Sequence, residues 1–447
     1  MSDLMAARSL MALSLAFHIV FAAIGMAMPL LMVLAEAQWL RTSDAAWRTL
    51  ARRWARGAGI LFAVGAVSGT VLSLELGMLF PAFMRVAGPV LGMPFSLEGL
   101  AFFTEAIFLG IYLYGWDRVA PRWHVLSGVM VALAGVTSAG FVVTANAWMN
   151  TPTGFTIENG VVTQVDVWAA IANPAAVSEV IHMVLAAYVA VGFGVAGLHA
   201  WLIARGNVAP MHRRAVPLAL SVGSVAMVLQ LLSGHEAAVM VAKTQPAKAA
   251  AMEALWDTQR CAPMELGGYS DDEAERVIGA IRIPCLLSLM TYGSLDAEMK
   301  GLKAWPPQDR PRSSVVHFAF DLMVGCGMAL LLTALWWGLL VLRRQPWWER
   351  RGFLTVLGLA TPLGFVAIEA GWVVAEVGRQ PWVIQDVMRT SEAVTTVPDL
   401  TVPLFVFAAL YAVLALTVVL LMRVEVLQQD DGARHEPTSD AEVPRAA

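Results

Sequence analysis

The sequence predicts an all-α integral membrane protein: a bundle of about nine transmembrane helices with a polar outer loop between helices 6 and 7. Three observations carry that expectation. Of 447 residues, 58% are hydrophobic and only 14% charged, against roughly 25% charged in soluble domains, and the mean hydropathy is +0.65. Apolar runs long enough to cross roughly 30 Å of hydrocarbon recur along the whole chain. Several of these runs hold single ionisable residues, which are rare and functional inside a bilayer. The net charge of -4, without a basic stripe interleaved with aromatics, excludes nucleic acid as a partner. Cys261, Cys285 and Cys326 show no CxxC spacing, so neither an iron–sulfur cluster, a zinc site nor a closed disulfide framework is expected.

The expected spans are 10–38, 54–80, 94–114, 126–149, 178–203, 216–236, 315–342, 354–376 and 401–423. Ala35-Glu36-Ala37 has the form of a signal cleavage site, but the apolar run before it exceeds the roughly 7–15 residues of a signal core, so the first helix is retained. Arg41, Arg48, Arg52, Arg53 and Arg56 follow the first span, Arg118 and Arg122 the third, Arg205, Arg213 and Arg214 the fifth, and Arg343, Arg344, Arg350 and Arg351 the seventh. The alternate connections carry only Arg85, none, and Arg379 with Arg389. The positive-inside rule then puts the N-terminus outside and the C-terminus inside. Residues 1–236 hold the first six helices, 237–314 a long polar loop that parity places outside, and 315–424 the last three helices. The remainder, 425–447, is charged and poor in apolar residues, a composition that predicts a disordered cytoplasmic tail. No internal repeat marks an inverted-repeat transporter.

The buried polar residues organise the chemistry. Glu369 lies deep in the eighth span, within IEAGWVVAEVGRQPW at 368–382, where an ionised carboxylate needs a partner. His18 sits in the first span and His182 near the outer start of the fifth. Each is either a histidine bonded to a neighbouring helix or a haem ligand, and the matching depth favours the ligand. His199 lies near the inner end of the fifth span, where a solvated role is expected. Met323, one of 23 methionines, would be packing on its own, but its depth matches His182, and a His/Met pair makes a six-coordinate low-spin haem. Gly325 and Gly327 would let a flat macrocycle approach. Glu98 and Glu105 are seven apart and return to nearly one helix face, as a proton relay requires, and Glu75 is a candidate to join them. Gly192, Gly194 and Gly197 formally match a dinucleotide fingerprint, but they lie inside a membrane helix and are read as close packing.

These residues sit in phrases that resemble subunit I of the cytochrome bd family of quinol oxidases: GTVLSLELG at 69–77, EGLAFFTEAIFLGIYLYGWDR at 98–118, TANAWMNTP at 144–152, NPAAVSEVIH at 173–182 and EAGWVVAEVGRQPW at 369–382. The likeness runs from about Arg8 to Met422 and implies an enzyme of a bacterial inner membrane that oxidises quinol at the outer face and reduces dioxygen to water. It implies a low-spin haem b held by His182 and Met323, and a high-spin haem b and haem d pair served by His18 and Glu369, with the assignment between those two open. It further implies that Glu98 and Glu105 serve the high-spin pair and its protons, that Lys248 and Glu253 bind quinol, and that protons cross without a pump. The implied partners are subunit II and a small single-helix subunit. Arg8 and Arg379, near the outer ends of their helices, are candidate cations for haem propionates, although Glu376 is a ready alternative partner for Arg379.

The sequence departs from the family pattern in three places. Asp321 stands where many members have arginine, Glu98 and Glu105 are one residue closer together than in the best-known branch, and the long C-terminal insertion of the loop is missing. Two other readings compete: a haem-free proton-coupled transporter, and an electron-transfer cytochrome in which only the His182/Met323 haem is filled. Ubiquinol and menaquinol, haem d and a second high-spin haem b, and the degree of cyanide sensitivity are alternatives at this level.

Overall fold

The computed structural model describes residues 2–158 and 161–424, and among them nine helical spans are long and apolar enough to cross a membrane. Helix α1 (Asp3–Thr42) is capped by Ser2, whose hydroxyl accepts from the Met5 amide, and stops at Ser43 in the left-handed region. Asp44 caps α2 (Ala45–Leu79). Prolines open α3 (Pro81–Tyr114) and α4 (Pro121–Asn150), as the fixed φ and missing N–H of proline favour. A short α5 (Val167–Ile171) precedes α6 (Ala176–Ala204) and α7 (Pro210–Thr244). After the long connection come α10 (Ser313–Leu342), α11 (Arg351–Leu359), α12 (Leu363–Gly378), the single turn α13 (Thr390–Ala393) and α14 (Thr401–Met422). Helices α11 and α12 form one span, broken where Pro362 cannot donate to the helix ladder.

The helices overrun the expected spans at their ends. Helix α7 continues to Thr244 through His235, Glu236 and Lys243, because a helix satisfies its own backbone and has no reason to end where the hydrocarbon does. The predicted tail lies outside the described residues.

Side-chain contacts fix which ends lie together. Arg214 at the start of α7 pairs with Asp44 between α1 and α2 at 3.0 Å. At the opposite end, the Leu400 amide donates to Asp3, the Gln385 amide to the Met149 carbonyl, and Arg389 pairs with Asp309. One end of the bundle therefore carries the long connection and the other the arginine-rich turns.

Between α7 and α10, the long connection holds α8 (Pro246–Met252), α9 (Leu286–Tyr292) and short antiparallel hairpins. Pairing of Met264–Leu266 with Ile281–Ile283 brings Cys261 and Cys285 together, and they form a disulfide. That corrects the expectation of no closed disulfide. The residues are 24 apart in sequence, and only the hairpin makes them neighbours. Cys326 is free and buried.

Lipid offers no hydrophobic drive between helices, so close approach depends on small residues. The core between α1, α6 and α7 is rich in them, including Ala23, Ala27, Ala187, Ala190, Ala215 and Ala219. A Cβ at Gly192 would stand 2.6 Å from the Gly223 Cα, and one at Gly197 2.3 Å from the Thr361 hydroxyl. The formal fingerprint is a packing surface, as read from its setting.

Candidate haem and quinol sites

Four side chains offer iron-ligand chemistry, on four different helices. His18 on α1 faces α2, where the Ser68 hydroxyl lies 2.9 Å from Nδ1. Ser68 also donates to α2 carbonyls at Val64 and Gly65, so it is held in place, and it orients the imidazole so that Nε2 is the nitrogen available to a metal. A Cβ at Gly69 would come within 3.0 Å of the His18 ring, so this seam has no room for a larger residue. We expect Ser68→Ala to lower high-spin haem occupancy and turnover by about tenfold, the scale of losing an orienting partner, measured as the haem-to-protein absorbance ratio. Unchanged occupancy would remove Ser68 from the site.

His182 on α6 and Met323 on α10 come level through α7. His182 faces Gln230 and Ser233 of α7, with Gln230 Nε2 3.2 Å from its Nε2. One turn further from the loop, Met227 of α7 is the nearest neighbour of Gly327 on α10, a turn beyond Met323. The two candidate ligands thus stand at one depth, as a His/Met haem would require. Open space around Gly325 and the buried, unpartnered Oε1 of Gln230 fit a flat group with polar edges.

Glu369 on α12 lies two residues before Gly371, whose Cα side packs on the Met323 sulfur; a Cβ there would stand 2.9 Å away. Its Oε1 is buried with no hydrogen-bond partner. An orphaned carboxylate oxygen is costly inside a membrane bundle, and a metal ligand fits that vacancy of partners.

Glu98 and Glu105 share one face of α3, as their spacing predicts, and it is turned to α4. The Ser138 hydroxyl donates to Glu98 at 3.1 Å, and a Cβ at Gly135 would lie 3.3 Å from the Glu105 carboxyl. Glu105 also reaches toward Gly25 of α1, seven residues beyond His18. Since α1 and α3 run in the same direction, Glu98 is level with His18 and Glu105 lies about 10 Å deeper. Glu75 belongs to a different seam: Ser14 donates to it at 2.9 Å and Tyr411 of α14 to Ser14. Those contacts place it beside His18 rather than with the α3 pair.

At the loop end, residues predicted separately converge. Lys248 of α8 and Arg379 both donate to the Asn150 side-chain oxygen, at 3.2 and 3.1 Å. Arg379 also pairs with Glu376, its alternative partner, and Glu376 accepts from Asn146 at 2.6 Å. Asn150 donates to Glu179. A cavity of about 200 Å³ opens beside this network, lined by Gln245, Lys248, Trp305, Gln380 and Trp382 among others. Gln245 is buried there with both amide atoms unpartnered. Burial, and secondarily Arg379, lowers Lys248 to about 7. Arg8 lies near Arg312 at the same end, two cations sharing one region.

Glu253 does not join Lys248. It faces Asp321 and Glu265, and burial first, then those two acids, pushes it up to about 8. At the departure from the family pattern, Asp321 lies 3.4 Å from His317 Nε2, and the other ring nitrogen of His317 lies 2.8 Å from the Met252 carbonyl. Sequence reading missed Ser68, Gln230, Ser138, Asn150, Glu179 and His317. Each is a polar residue in or beside an apolar span, a signal present in the sequence but without a partner until the helices pack. His199, expected to be solvated, is instead buried and bonded to His212 at 2.7 Å and to Trp54.

A membrane helix bundle with candidate iron ligands at His18, His182, Met323 and Glu369 and a face of buried carboxylates fits the class of haem-bearing respiratory membrane proteins. The sequence profile described as "Cytochrome bd terminal oxidase subunit I" matches residues 6–430, and the chain belongs to that family. It is 38% identical over 427 residues to the "Putative cytochrome bd menaquinol oxidase subunit I" of Bacillus subtilis (strain 168), covering 94% of this chain and 95% of that one. To the "Cytochrome bd-II ubiquinol oxidase subunit 1" of Escherichia coli (strain K12) it is 28% identical, covering 92% and 94%. The structure of bd oxidase from Geobacillus thermodenitrificans superposes with a TM-score of 0.90 at 37% identity, covering 95% of this chain and 98% of that one. Family membership sets aside the haem-free transporter.

Proposed function

We propose that this chain is the haem-bearing subunit of a terminal quinol oxidase in a bacterial cytoplasmic membrane, oxidising quinol at its loop end and reducing dioxygen to water. The observation that carries the reading is the orphaned oxygen of Glu369, a buried carboxylate without a protein partner that, with three further candidate ligands on other helices, exceeds what a one-haem cytochrome needs.

When bound, the haems carry electrons and supply an iron open to dioxygen. His182 and Met323 would together hold the low-spin haem, and His18 and Glu369 would each hold one high-spin haem as its single protein ligand. Arg379 and Arg8 would supply the cations for the haem propionates. Lys248 holds the quinol head beside the loop-end cavity, and Glu253, five residues further along and outside the Asn150 network, takes a proton from the quinol. Glu98 and Glu105 deliver protons from the opposite end, so charge separates across the membrane without a pump. The arginine-rich turns support placing that opposite end inside, with the N-terminus outside. The disulfide supports an oxidising compartment for the loop. Subunit II, and with it a small single-helix subunit, covers the apolar helix faces left open around Phe103, Ile107 and Phe405.

The test is a reduced-minus-oxidised optical spectrum of the purified complex, with and without carbon monoxide, alongside quinol-driven oxygen consumption. Low-spin haem b bands with a carbon-monoxide-sensitive far-red band would establish the full set; absence of haem would end the reading. Because Glu253 accepts a proton only when ionised, kcat/KM for quinol should rise with pH through about 8. Glu253→Gln should lose that limb and about 100-fold in kcat/KM, the scale of a general base. A retained limb would assign it to another group.

A further inference from the structure

We infer that the buried pair Glu36–His124, with the Tyr112 hydroxyl, is the proton-loading site that feeds Glu105 from the arginine-rich end; this rests on the proton relay proposed above. Glu36 on α1 and His124 in the first turn of α4 are 1% and 2% exposed. His124 Nδ1 lies 2.7 Å from Glu36 Oε1, and its Nε2 lies 3.0 Å from the Tyr112 carbonyl. A carbonyl only accepts, so Nε2 carries a hydrogen. One further proton must then lie between Nδ1 and Oε1, whichever atom holds it, because two bare lone pairs would repel at that distance. The pair is a one-proton store.

The store is open on both sides. Toward solvent, His124 packs on the Trp116 ring at 4.5 Å between centroids. Beyond Trp116 lie Arg52, over its ring, and the exposed Arg48–Asp117 ion pair. Among the described residues, Glu36 and Tyr112 are the titratable groups in direct contact with His124. Toward the membrane interior, the second Glu36 oxygen and the Tyr112 hydroxyl are buried, near one another, and without a partner at hydrogen-bonding geometry. The Tyr112 hydroxyl and the Glu36 carboxyl face each other, the contact a proton needs to pass between them.

Tyr112 continues the ladder. Glu98, Glu105 and Tyr112 recur every seventh residue on α3, and each meets α4, at Ser138, Gly135 and Gly128. A Cβ at Gly128 would stand 2.7 Å from the Tyr112 ring and from Val33, so glycine there fixes the ring. Tyr112 and Glu105 are about 10 Å apart along the axis. Side chains on a helix lean toward its N-terminus, which for α3 points each group at the next one outward, leaving a gap that a few water hydrogen bonds of about 2.8 Å would span.

In transfer, the Glu36 O–H bond breaks as a proton passes to the Tyr112 oxygen, and the hydroxyl's own proton moves on through water to the Glu105 carboxylate. The Nδ1 and Oε1 lone pairs are then left facing each other, and their repulsion draws the next proton in from the aqueous side past Trp116.

The experiment uses the purified complex in vesicles, with Glu36→Gln, Tyr112→Phe and Glu105→Gln compared with the native chain. Glu36→Gln should slow oxygen consumption and proton uptake from the arginine-rich side by about tenfold or more, and Tyr112→Phe in the same direction. Haem spectra and anaerobic reduction by quinol should be unchanged, which a merely structural defect would not leave intact. Turnover in Glu36→Gln and Tyr112→Phe within about twofold of native between about pH 6 and 8 would overturn the inference. If Glu36→Gln fails to load haem, Tyr112→Phe decides alone. A slow Glu105→Gln beside native-like Glu36→Gln refutes only this uptake site, whereas a native-like Glu105→Gln refutes the relay itself.

Discussion

Glu369→Ala is expected to reduce quinol-driven oxygen consumption by more than about 100-fold, above the 10–100-fold typical of orienting partners because a ligand itself is lost. The carboxylate comes from α12, two residues before the glycine that packs on Met323, and its Oε1 has no protein partner. Removing it takes away no hydrogen bond within the chain at that atom, so the helix should fold and pack as before. The loss should therefore be confined to the high-spin haem signals, with the low-spin bands and their reduction by quinol retained. Oxygen consumption and carbon-monoxide binding at native levels would show that Glu369 holds no haem.

His182→Ala should have the converse signature. The low-spin bands should vanish, and turnover should fall by more than about 100-fold for the same reason, because electrons from quinol would have no way in. The high-spin signals served by His18 and Glu369 should persist, since those residues lie on other helices. Chemical reduction by dithionite would still reach them, which separates a broken electron path from a collapsed fold. A variant in which quinol still reduces the high-spin groups at the native rate would remove His182 from the path.

The span count and the candidate ligands His18, His182, Met323 and Glu369 were legible because a bilayer makes sequence unusually direct. About twenty apolar residues mean a crossing helix, and an ionisable residue within them needs a reason. The spacing of Glu98 and Glu105 was legible for a similar reason: both facing groups on α4 lie where helical geometry puts them. Glu75 was a harder case. Its depth in α2 was clear, but its seam depends on which neighbours α2 packs against, and Ser14 and Tyr411 are 61 residues before and 336 after it in the chain. The Cys261–Cys285 bond had the same character, since a two-strand hairpin and not a spacing motif closes it.

By itself the sequence determined that this chain crosses a membrane, where each crossing lies, and which buried side chains have the chemistry to bind iron or carry protons. Those are properties of single segments, set by hydrophobic length and by the cost of burying charge. Only the tertiary structure decided that Lys248 and Arg379 meet at Asn150, that Ser68 meets His18, and that Glu36 meets His124. Those are pair properties between helices distant in sequence. In lipid, which helices meet is settled by small-residue packing and interhelical hydrogen bonds, and neither can be read from one helix alone.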